Sequence, residues 1–282
     1  MTADPVLLAL LAATVLGACF GSFLNVCVAR WPAGLSVVRP ASRCPHCEHA
    51  IRWHENVPVL GWLRLGGKCA GCRAAISPRY PIVEATVALL WAAAVAWAGP
   101  TVEAVRLAMF ATIMLGVVLT DVEHYVIPDG FTVFGFLWVL ATSVWHAIAS
   151  PDVASHFVAP ADAFVGACAA AGFVAIVGWL GEVALKKEAM GFGDVTLMAV
   201  VGAAIGPVPG IVTTFVAAGI GAVTFLGLVY PVGIVRARRA GRDFEPPLVP
   251  FGVFLAPAAV VLLVTGPDRL RTIAVTLGLV VP

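Results

Sequence analysis

Long apolar segments recur along the sequence and constrain its fold more than any other feature. A helix needs about 20 apolar residues to cross the hydrocarbon core of a bilayer. Hydrophobic residues make up 61% of the chain and charged residues 12%, whereas soluble domains are about 45–50% apolar. We therefore predict an all-α polytopic membrane protein with eight transmembrane helices, one of them short. The predicted helices cover residues 6–28, 80–98, 102–120, 131–149, 161–180, 195–205, 211–235 and 248–264.

The distribution of Lys and Arg predicts how these helices are oriented. Placing the N-terminus outside makes four segments into inside loops, and these loops hold 14 of the 17 Lys and Arg residues. Cytoplasmic loops carry the excess of positive charge, so we expect this orientation. The four inside segments are residues 29–79, 121–130, 181–194 and 236–247.

The first inside loop contains two pairs of cysteines, Cys44 with Cys47 and Cys69 with Cys72. Each pair has C-x2-C spacing, and 21 residues separate the pairs. This pattern is typical of four-thiolate zinc ribbons, in which each pair supplies two sulfurs to one tetrahedral Zn²⁺. The alternative is a pair of disulfides, which the predicted cytoplasmic location disfavours. We therefore predict a structural zinc site, although three nearby histidines could replace a ligand; they are His46, His49 and His54.

These features divide the chain into three parts. No internal repeat and no nucleic-acid motif is evident in the sequence, so membrane lipid is the expected surrounding, and the oligomeric state is not assigned. The predicted parts are a first transmembrane helix in residues 1–29, a cytoplasmic four-cysteine domain in residues 30–79 and a membrane-embedded helix bundle in residues 80–282.

Two aspartates stand at the ends of apolar segments. Asp121 follows one such segment, and Asp194 ends the motif Gly191-Phe192-Gly193-Asp194 and opens the next segment. Gly191 and Gly193 allow a positive φ or a close approach of the backbone to another segment, so we expect them to support the site. An isolated aspartate after such a turn is usually a helix N-cap. Here the predicted orientation places both carboxylates at the cytoplasmic side, and ionisable groups at membrane depth indicate a functional site.

Two carboxylates brought together in a wet cavity can activate water. Like charges a few ångströms apart do not both ionise readily, so the pair shares a proton. The ionised member acts as a general base on water, and the protonated member polarises a peptide carbonyl. We therefore predict an aspartic-protease dyad of Asp121 and Asp194, without assigning either role to either residue. Four other acids are either structural or attract a basic substrate segment; they are Glu84, Glu123, Asp129 and Glu188.

Short motifs follow one another in a specific order along nearly the whole sequence. They are residues 21–26 (GSFLNV), 43–47 (RCPHC), 55–63 (ENVPVLGWL), 69–72 (CAGC), 79–84 (RYPIVE), 121–129 (DVEHYVIPD), 191–194 (GFGD) and 250–254 (PFGVF). In this order they resemble the bacterial type IV prepilin peptidases, which are GxGD membrane aspartic proteases. One departure is the bulky Phe192 between the two glycines, which is expected to narrow the site.

The resemblance implies a bifunctional enzyme of the bacterial inner membrane, with Asp121 and Asp194 catalytic. Such enzymes remove the short basic leader from type IV prepilins and from the related pseudopilins of type II secretion, after a glycine and usually before a phenylalanine. They then methylate the new N-terminal amine with S-adenosylmethionine. The sequence shows no Gly-rich cofactor loop, so the methyl-donor residues are not assigned. The four-cysteine domain is the expected location, and a peptidase without methylation stays an alternative.

A proton-coupled transporter with a zinc-binding regulatory domain is the alternative from a different class. Carboxylates inside membranes also serve as proton relays. Transporters often contain repeated halves with broken helices at the membrane midplane. The absence of an internal repeat and the placement of both aspartates near one face favour the peptidase.

Overall fold

The chain is a helical protein in a computed structural model, which describes residues 4–186, 190–239, 241, 244 and 249–276. Glu188 lies outside the described residues. No strand occurs within them, and the longer helices are joined by turns and irregular loops. The helices are α1 (Pro5–Arg30), α2 (Leu60–Arg64), α3 (Arg79–Ala98), α4 (Val102–His124), α5 (Asp129–Ala149), α6 (Pro160–Leu185), α7 (Phe192–Ile205), α8 (Pro207–Thr224), α9 (Tyr230–Arg239) and α10 (Gly252–Thr276).

Six of the described helical segments are long and apolar enough to cross a membrane. Five are the single helices α1, α3, α4, α5 and α6, and the sixth joins α8 to α9 through one π-helical stretch, Phe225–Val229. Two shorter apolar helices are α7 and the first part of α10, which bends at Gly266 where φ is 74°. The all-α prediction is therefore confirmed for the described residues, which contain six segments able to cross a membrane, and the exact count of eight spans stays a prediction.

Two compact units divide the chain, Met1–Gly116 and Val117–Pro282. The boundary falls inside α4, so the last two turns of that helix belong to the second unit. The first unit contains the four-cysteine loop, and the second unit contains both aspartates of the predicted dyad. The predicted division into a first transmembrane helix, a cytoplasmic domain and a membrane-embedded bundle depends on where the membrane lies. That division stays a prediction.

In the first unit, α1 packs closely on α3 through Gly17 and Gly21. A Cβ added to Gly17 would lie 2.8 Å from the Cβ of Trp91, and one added to Gly21 would lie 2.7 Å from the Cα of Glu84. Glycines four residues apart let helix backbones approach closely in membranes, where apolar surface alone does not favour helix association. The ring of Phe20 stacks on Trp91 with centroids 4.8 Å apart. This contact fixes the first helix against the third.

In the second unit, α7 is enclosed by other helices. Its residues from Leu197 to Ile205 are buried apart from Ala199, and it contacts α5, α6, α8 and α10. A helix that is apolar on every side is suited to such a position. Against α6, the approach is so close that a Cβ on Gly202 would overlap the backbone of Gly166. The helix that begins with the GxGD motif is thus held rigidly by its neighbours.

We expect Gly202→Ala to destabilise the protein, because its methyl group would meet the backbone of Gly166 and lie 2.8 Å from the Cβ of Ala170. Overpacking of this kind costs about 1–3 kcal/mol. The matched control is Gly172→Ala in α6, where an added Cβ meets nothing within 4 Å. Unfolding of the detergent-solubilised protein, followed by circular dichroism, measures both. Equal stability of the two variants would contradict the close α6–α7 contact.

Candidate active site and metal centre

Asp121 lies in the last turn of α4 and is 5% exposed. Its Oδ2 accepts a hydrogen bond from the backbone N–H of Val253 at 3.2 Å. Val253 is the second residue of α10, and a Cβ added to Gly252 would lie 2.9 Å from the same Oδ2. The beginning of α10 is therefore directly against this carboxyl group. The free N–H groups at a helix N-terminus favour a negative charge in this position.

Asp194 is the third residue of α7 and is only partly buried. Its backbone N–H donates to the carbonyl of Gly191 at 3.1 Å, which closes the turn that begins the helix. Gly191 has φ −71°, and Gly193 is not among the residues of positive φ. The two glycines are therefore not needed for a left-handed backbone. The bulky Phe192 between them is 74% exposed, so it does not fill the interior of the unit.

Ile127 brings the surroundings of the two aspartates together. It lies in the loop between α4 and α5 and is buried. A Cβ added to Gly193 would lie 2.9 Å from the Cβ of Ile127, and one added to Gly252 would lie 3.0 Å from its Cδ1. The structure thus gathers the end of α4, the start of α7 and the start of α10 around one isoleucine.

The contact residues Ile127, Gly252 and Val253 were not assigned a role from the sequence. The signal that pointed to them was their place in the 121–129 and 250–254 motifs. Glu123 is exposed in the last turn of α4, and Asp129 is the first residue of α5. Glu84 belongs to the first unit, where its Oε2 accepts a hydrogen bond from the N–H of Val59.

The four predicted cysteine ligands come together in the first unit. One ligand atom from each lies within 4.8 Å of the others, and the Sγ pairs Cys44–Cys72 and Cys47–Cys69 are each 3.9 Å apart. Sulfurs arranged tetrahedrally at about 2.3 Å from one ion are about 3.8 Å apart. The cluster therefore fits a single metal ion. All seven cysteines are free, so the disulfide alternative is not observed.

The two cysteine pairs lie in turns of the same construction, 25 residues apart in the sequence. The first cysteine of each pair receives a hydrogen bond at its carbonyl from the N–H of Glu48 or Arg73, the residue after the second cysteine. Both of those residues have positive φ, 56° and 62°. An isolated antiparallel bridge closes each turn, one at Arg43 and the other at Lys68. The backbone thus presents four sulfurs from two equivalent knuckles.

The thiols of this cluster differ in their affinity for protons. Backbone N–H groups at His46 and Cys47 lower the pKa of Cys44 to about 7. The backbone N–H at His49 also acts to lower the pKa of Cys47, but hydrogen bonds with Cys72 and the other thiols, together with desolvation, raise it to about 11. Four thiols this close do not all ionise without a cation. A bound metal would supply that charge, because the thiolate is the form that ligates metals.

The nearby histidines are not part of this group of ligand atoms. The Nε2 of His49 lies 3.1 Å from Glu55 Oε2, so this ring is held by a carboxylate. Glu55 also accepts the N–H of Arg52 at 3.0 Å, and that bond, ahead of the contact with His49, lowers the pKa of Glu55. The expectation that cysteines rather than histidines form the ligand set agrees with this geometry.

Comparisons with known families and proteins cover both units. The family described as Bacterial Peptidase A24 N-terminal domain matches residues 15–98, and the Type IV leader peptidase family matches residues 108–226. A prepilin leader peptidase/N-methyltransferase of Stutzerimonas stutzeri is 35% identical over 91% of this chain and 90% of its own length. The chain belongs to the type IV leader peptidase family.

Other relatives have similar sequence identity over different shares of their length. A prepilin leader peptidase/N-methyltransferase of Pseudomonas aeruginosa is 34% identical over 92% of this chain and 91% of its own length. A prepilin leader peptidase/N-methyltransferase of Myxococcus xanthus is 40% identical over 67% of this chain. The match covers only 54% of that relative's own length. No solved structure matches the chain. The names of these relatives give no support to the transporter alternative.

Replacing one cysteine of the cluster should remove the metal from this family member. We expect Cys72→Ser to lower the transition-metal content of the purified protein from about one ion per chain to near zero, because the site loses one of its four thiolates. Cys168→Ser, in an exposed position on α6, is the matched control. Elemental mass spectrometry after dialysis measures the content. Equal metal in the two variants would contradict the four-cysteine site.

Proposed function

We propose that this chain is a membrane aspartic endopeptidase that removes the basic leader of type IV prepilins or pseudopilins on the cytoplasmic side. We propose further that it N-methylates the new N-terminal residue with S-adenosylmethionine. The observation that carries the peptidase assignment is the convergence of the segments that hold Asp121 and Asp194 around Ile127. The names of the relatives support both activities.

The proposed peptidase chemistry uses the two carboxyl groups as a unit. One ionised oxygen takes a proton from water, while the protonated partner donates to the carbonyl oxygen of the scissile peptide. Asp121 is held by the N–H of Val253, and Asp194 is the more exposed of the two. The pair therefore has one fixed carboxyl group and one accessible carboxyl group. This arrangement suits hydrolysis of a substrate peptide that enters from outside the helix bundle.

The proposed orientation follows from the charge distribution and from the helix ends. Both aspartates lie within one turn of a helix end, Asp121 at the end of α4 and Asp194 at the start of α7. With 14 of the 17 Lys and Arg residues assigned to inside loops, these ends face the cytoplasm. Glu123 and Asp129, in or beside the α4–α5 loop, then add negative charge that attracts a basic leader.

We propose zinc as the ion of the four-cysteine cluster, with a structural role. A tetrahedral set of four thiolates suits Zn²⁺ or an iron–sulfur centre, and two C-x2-C knuckles are typical of structural zinc. Residues 31–78 contain only the short helix α2 and one 3₁₀ turn. A metal would therefore contribute much of the folding free energy of this loop. Cys44, Cys47, Cys69 and Cys72 would hold it.

The dyad is tested by replacing each carboxyl group with an amide. We expect Asp121→Asn and Asp194→Asn each to reduce leader cleavage about 100-fold or more, because general acid–base catalysis contributes about 10²–10⁴. Mass spectrometry of a candidate prepilin incubated with the purified enzyme and S-adenosylmethionine measures cleavage and methylation together. Asp162→Asn, an exposed acid in the first turn of α6, is the matched control. Full cleavage by either dyad variant would refute the mechanism.

A second test concerns the beginning of α10. In Gly252→Ala the new methyl group would lie 2.9 Å from Asp121 Oδ2 and 3.0 Å from Ile127 Cδ1. We expect kcat for cleavage to fall about 100-fold with little change in KM, because misplacement of a catalytic group by about 1 Å costs about that much. Gly219→Ala in α8, where an added Cβ meets nothing within 4 Å, is the control. Unchanged kcat in Gly252→Ala would exclude a positioning role for this helix start.

A further inference from the structure

The short helix α2, in the four-cysteine loop of residues 31–78, has one face turned away from the rest of the protein. The helix contains five residues, Leu60–Arg64. Leu60 and Leu63 are 64% and 58% exposed, and residues three or four apart share one face of a helix, so Arg64 lies on the same face. A single exposed leucine is ordinary, whereas adjacent exposed apolar side chains mark a surface that binds something.

The opposite face of α2 packs against the loop and fixes the orientation of the helix. A Cβ added to Gly61 would overlap the carbonyl oxygen of Glu55. The ring nitrogen Nε1 of Trp62 donates to the carbonyl of Ile76 at 3.1 Å. Because Gly61 and Trp62 are held from the inside, the two leucines are directed outward by the fold of the loop.

Trp53 extends this exposed face. The guanidinium group of Arg64 donates to the backbone carbonyl of His54, and the ring of His54 meets the ring of Trp53 edge-on, with centroids 5.6 Å apart. Trp53 is 83% exposed, and the adjacent Arg52 is exposed as well. We call this group of two leucines, one tryptophan and two arginines the α2 patch; its members are Arg52, Trp53, Leu60, Leu63 and Arg64.

The position of α2 beside α3 indicates what the patch faces. α3 has 20 residues, a length of about 30 Å that matches the hydrocarbon core of a bilayer. Val59, the residue before α2, donates its N–H to Oε2 of Glu84 at 2.6 Å, and Glu84 lies in the second turn of α3. The start of α2 is therefore level with the first two turns of α3, where lipid headgroups meet the acyl chains.

The charge of the loop matches an anionic lipid surface. Residues 31–78 contain six Lys or Arg and two Glu, and each basic residue near an anionic leaflet favours contact with it. Tryptophan is enriched at the headgroup level of membranes, and a helix with apolar and basic side chains on its exposed face lies in the plane of the interface. Both ends of the loop continue into α1 and α3, which are long and apolar enough to cross a membrane.

We propose that the α2 patch lies in the surface of the bilayer that α1 and α3 cross. Leu60 and Leu63 insert among the upper acyl chains, Trp53 lies at headgroup level, and Arg52 and Arg64 contact the phosphates of anionic lipids. The lipid surface then holds the outer face of α2 while the hydrogen bond from Val59 to Glu84 holds its beginning. This contact is independent of the proposed peptidase and methyltransferase activities.

Photocrosslinking of the full-length protein in vesicles of phosphatidylcholine and phosphatidylglycerol tests the contact. A benzophenone amino acid replaces Leu60 or Leu63, and mass spectrometry identifies the adducts after ultraviolet irradiation. We expect phospholipid adducts at both positions, because both side chains insert among acyl chains. The matched control places the same amino acid at Glu48, whose side chain is 81% exposed in the first cysteine turn, and it should give no lipid adduct.

Three results would overturn the lipid contact. They are the absence of phospholipid adducts at positions 60 and 63, a crosslink there to a second copy of the chain instead of lipid, and an equal lipid yield at position 48. Thermal unfolding of each substituted protein shows that it is folded, so a missing adduct counts against the proposal.

The charge of the patch is tested by comparing vesicles with and without phosphatidylglycerol. We expect the anionic lipid to raise the adduct yield at position 63 about fivefold, since one basic residue near an anionic surface contributes about that factor. Arg52→Gln should remove much of this increase while keeping the backbone N–H that bonds to Glu55. Arg73→Gln, an exposed arginine outside the patch, is the control. Equal yields in the two vesicles would refute the contact with anionic lipid.

Discussion

The geometry of the candidate active site depends on the packing of one side chain, Ile127, against two glycines. The distances from Ile127 to an imagined Cβ at Gly193 and at Gly252 are 2.9 and 3.0 Å, so a side chain at Gly193 would displace the loop or α7, and one at Gly252 would displace the end of the Ile127 side chain. Ile127 follows Asp121 by six residues, and Gly193 immediately precedes Asp194. The packing of Ile127 therefore brings the segments that hold the two carboxyl groups together. The glycine before the aspartate is required for room, since its backbone does not adopt positive φ.

The first unit uses the same means to place its polar groups. Gly21 brings α1 so close to α3 that its missing Cβ would meet the backbone of Glu84, and Asn25 lies one turn further along α1. In a bilayer, apolar side chains gain little by leaving lipid for a neighbouring helix, so small residues and hydrogen bonds hold the helices together. The glycines that stabilise the helix pair therefore also bring Asn25 and Glu84 to one cavity within the first unit.

Local patterns in the sequence predicted the parts of the fold that depend on composition and short spacing. The apolar segments matched the described helices because burial in lipid requires a continuous run of apolar residues. The two cysteines of each C-x2-C pair lie close together because each pair forms a local turn. The contacts of Ile127 with Gly193 and Gly252 were not predictable, since they join segments distant in sequence. The hydrogen bond from Val253 to Asp121 spans 132 residues. No local periodicity encodes such a pairing.

The length of α7 shows why the number of spans is harder to predict than their existence. This helix has 14 residues, which is too few to cross a bilayer of about 30 Å. It is enclosed by other helices of its unit, so its ends need not reach the lipid headgroups. A short helix shielded by protein can begin below the membrane surface, and irregular backbone at that depth is tolerated where it lines a cavity. Asp194 lies at the start of α7, so in the proposed peptidase the shortness of this helix would allow a carboxyl group and water to meet inside the bundle.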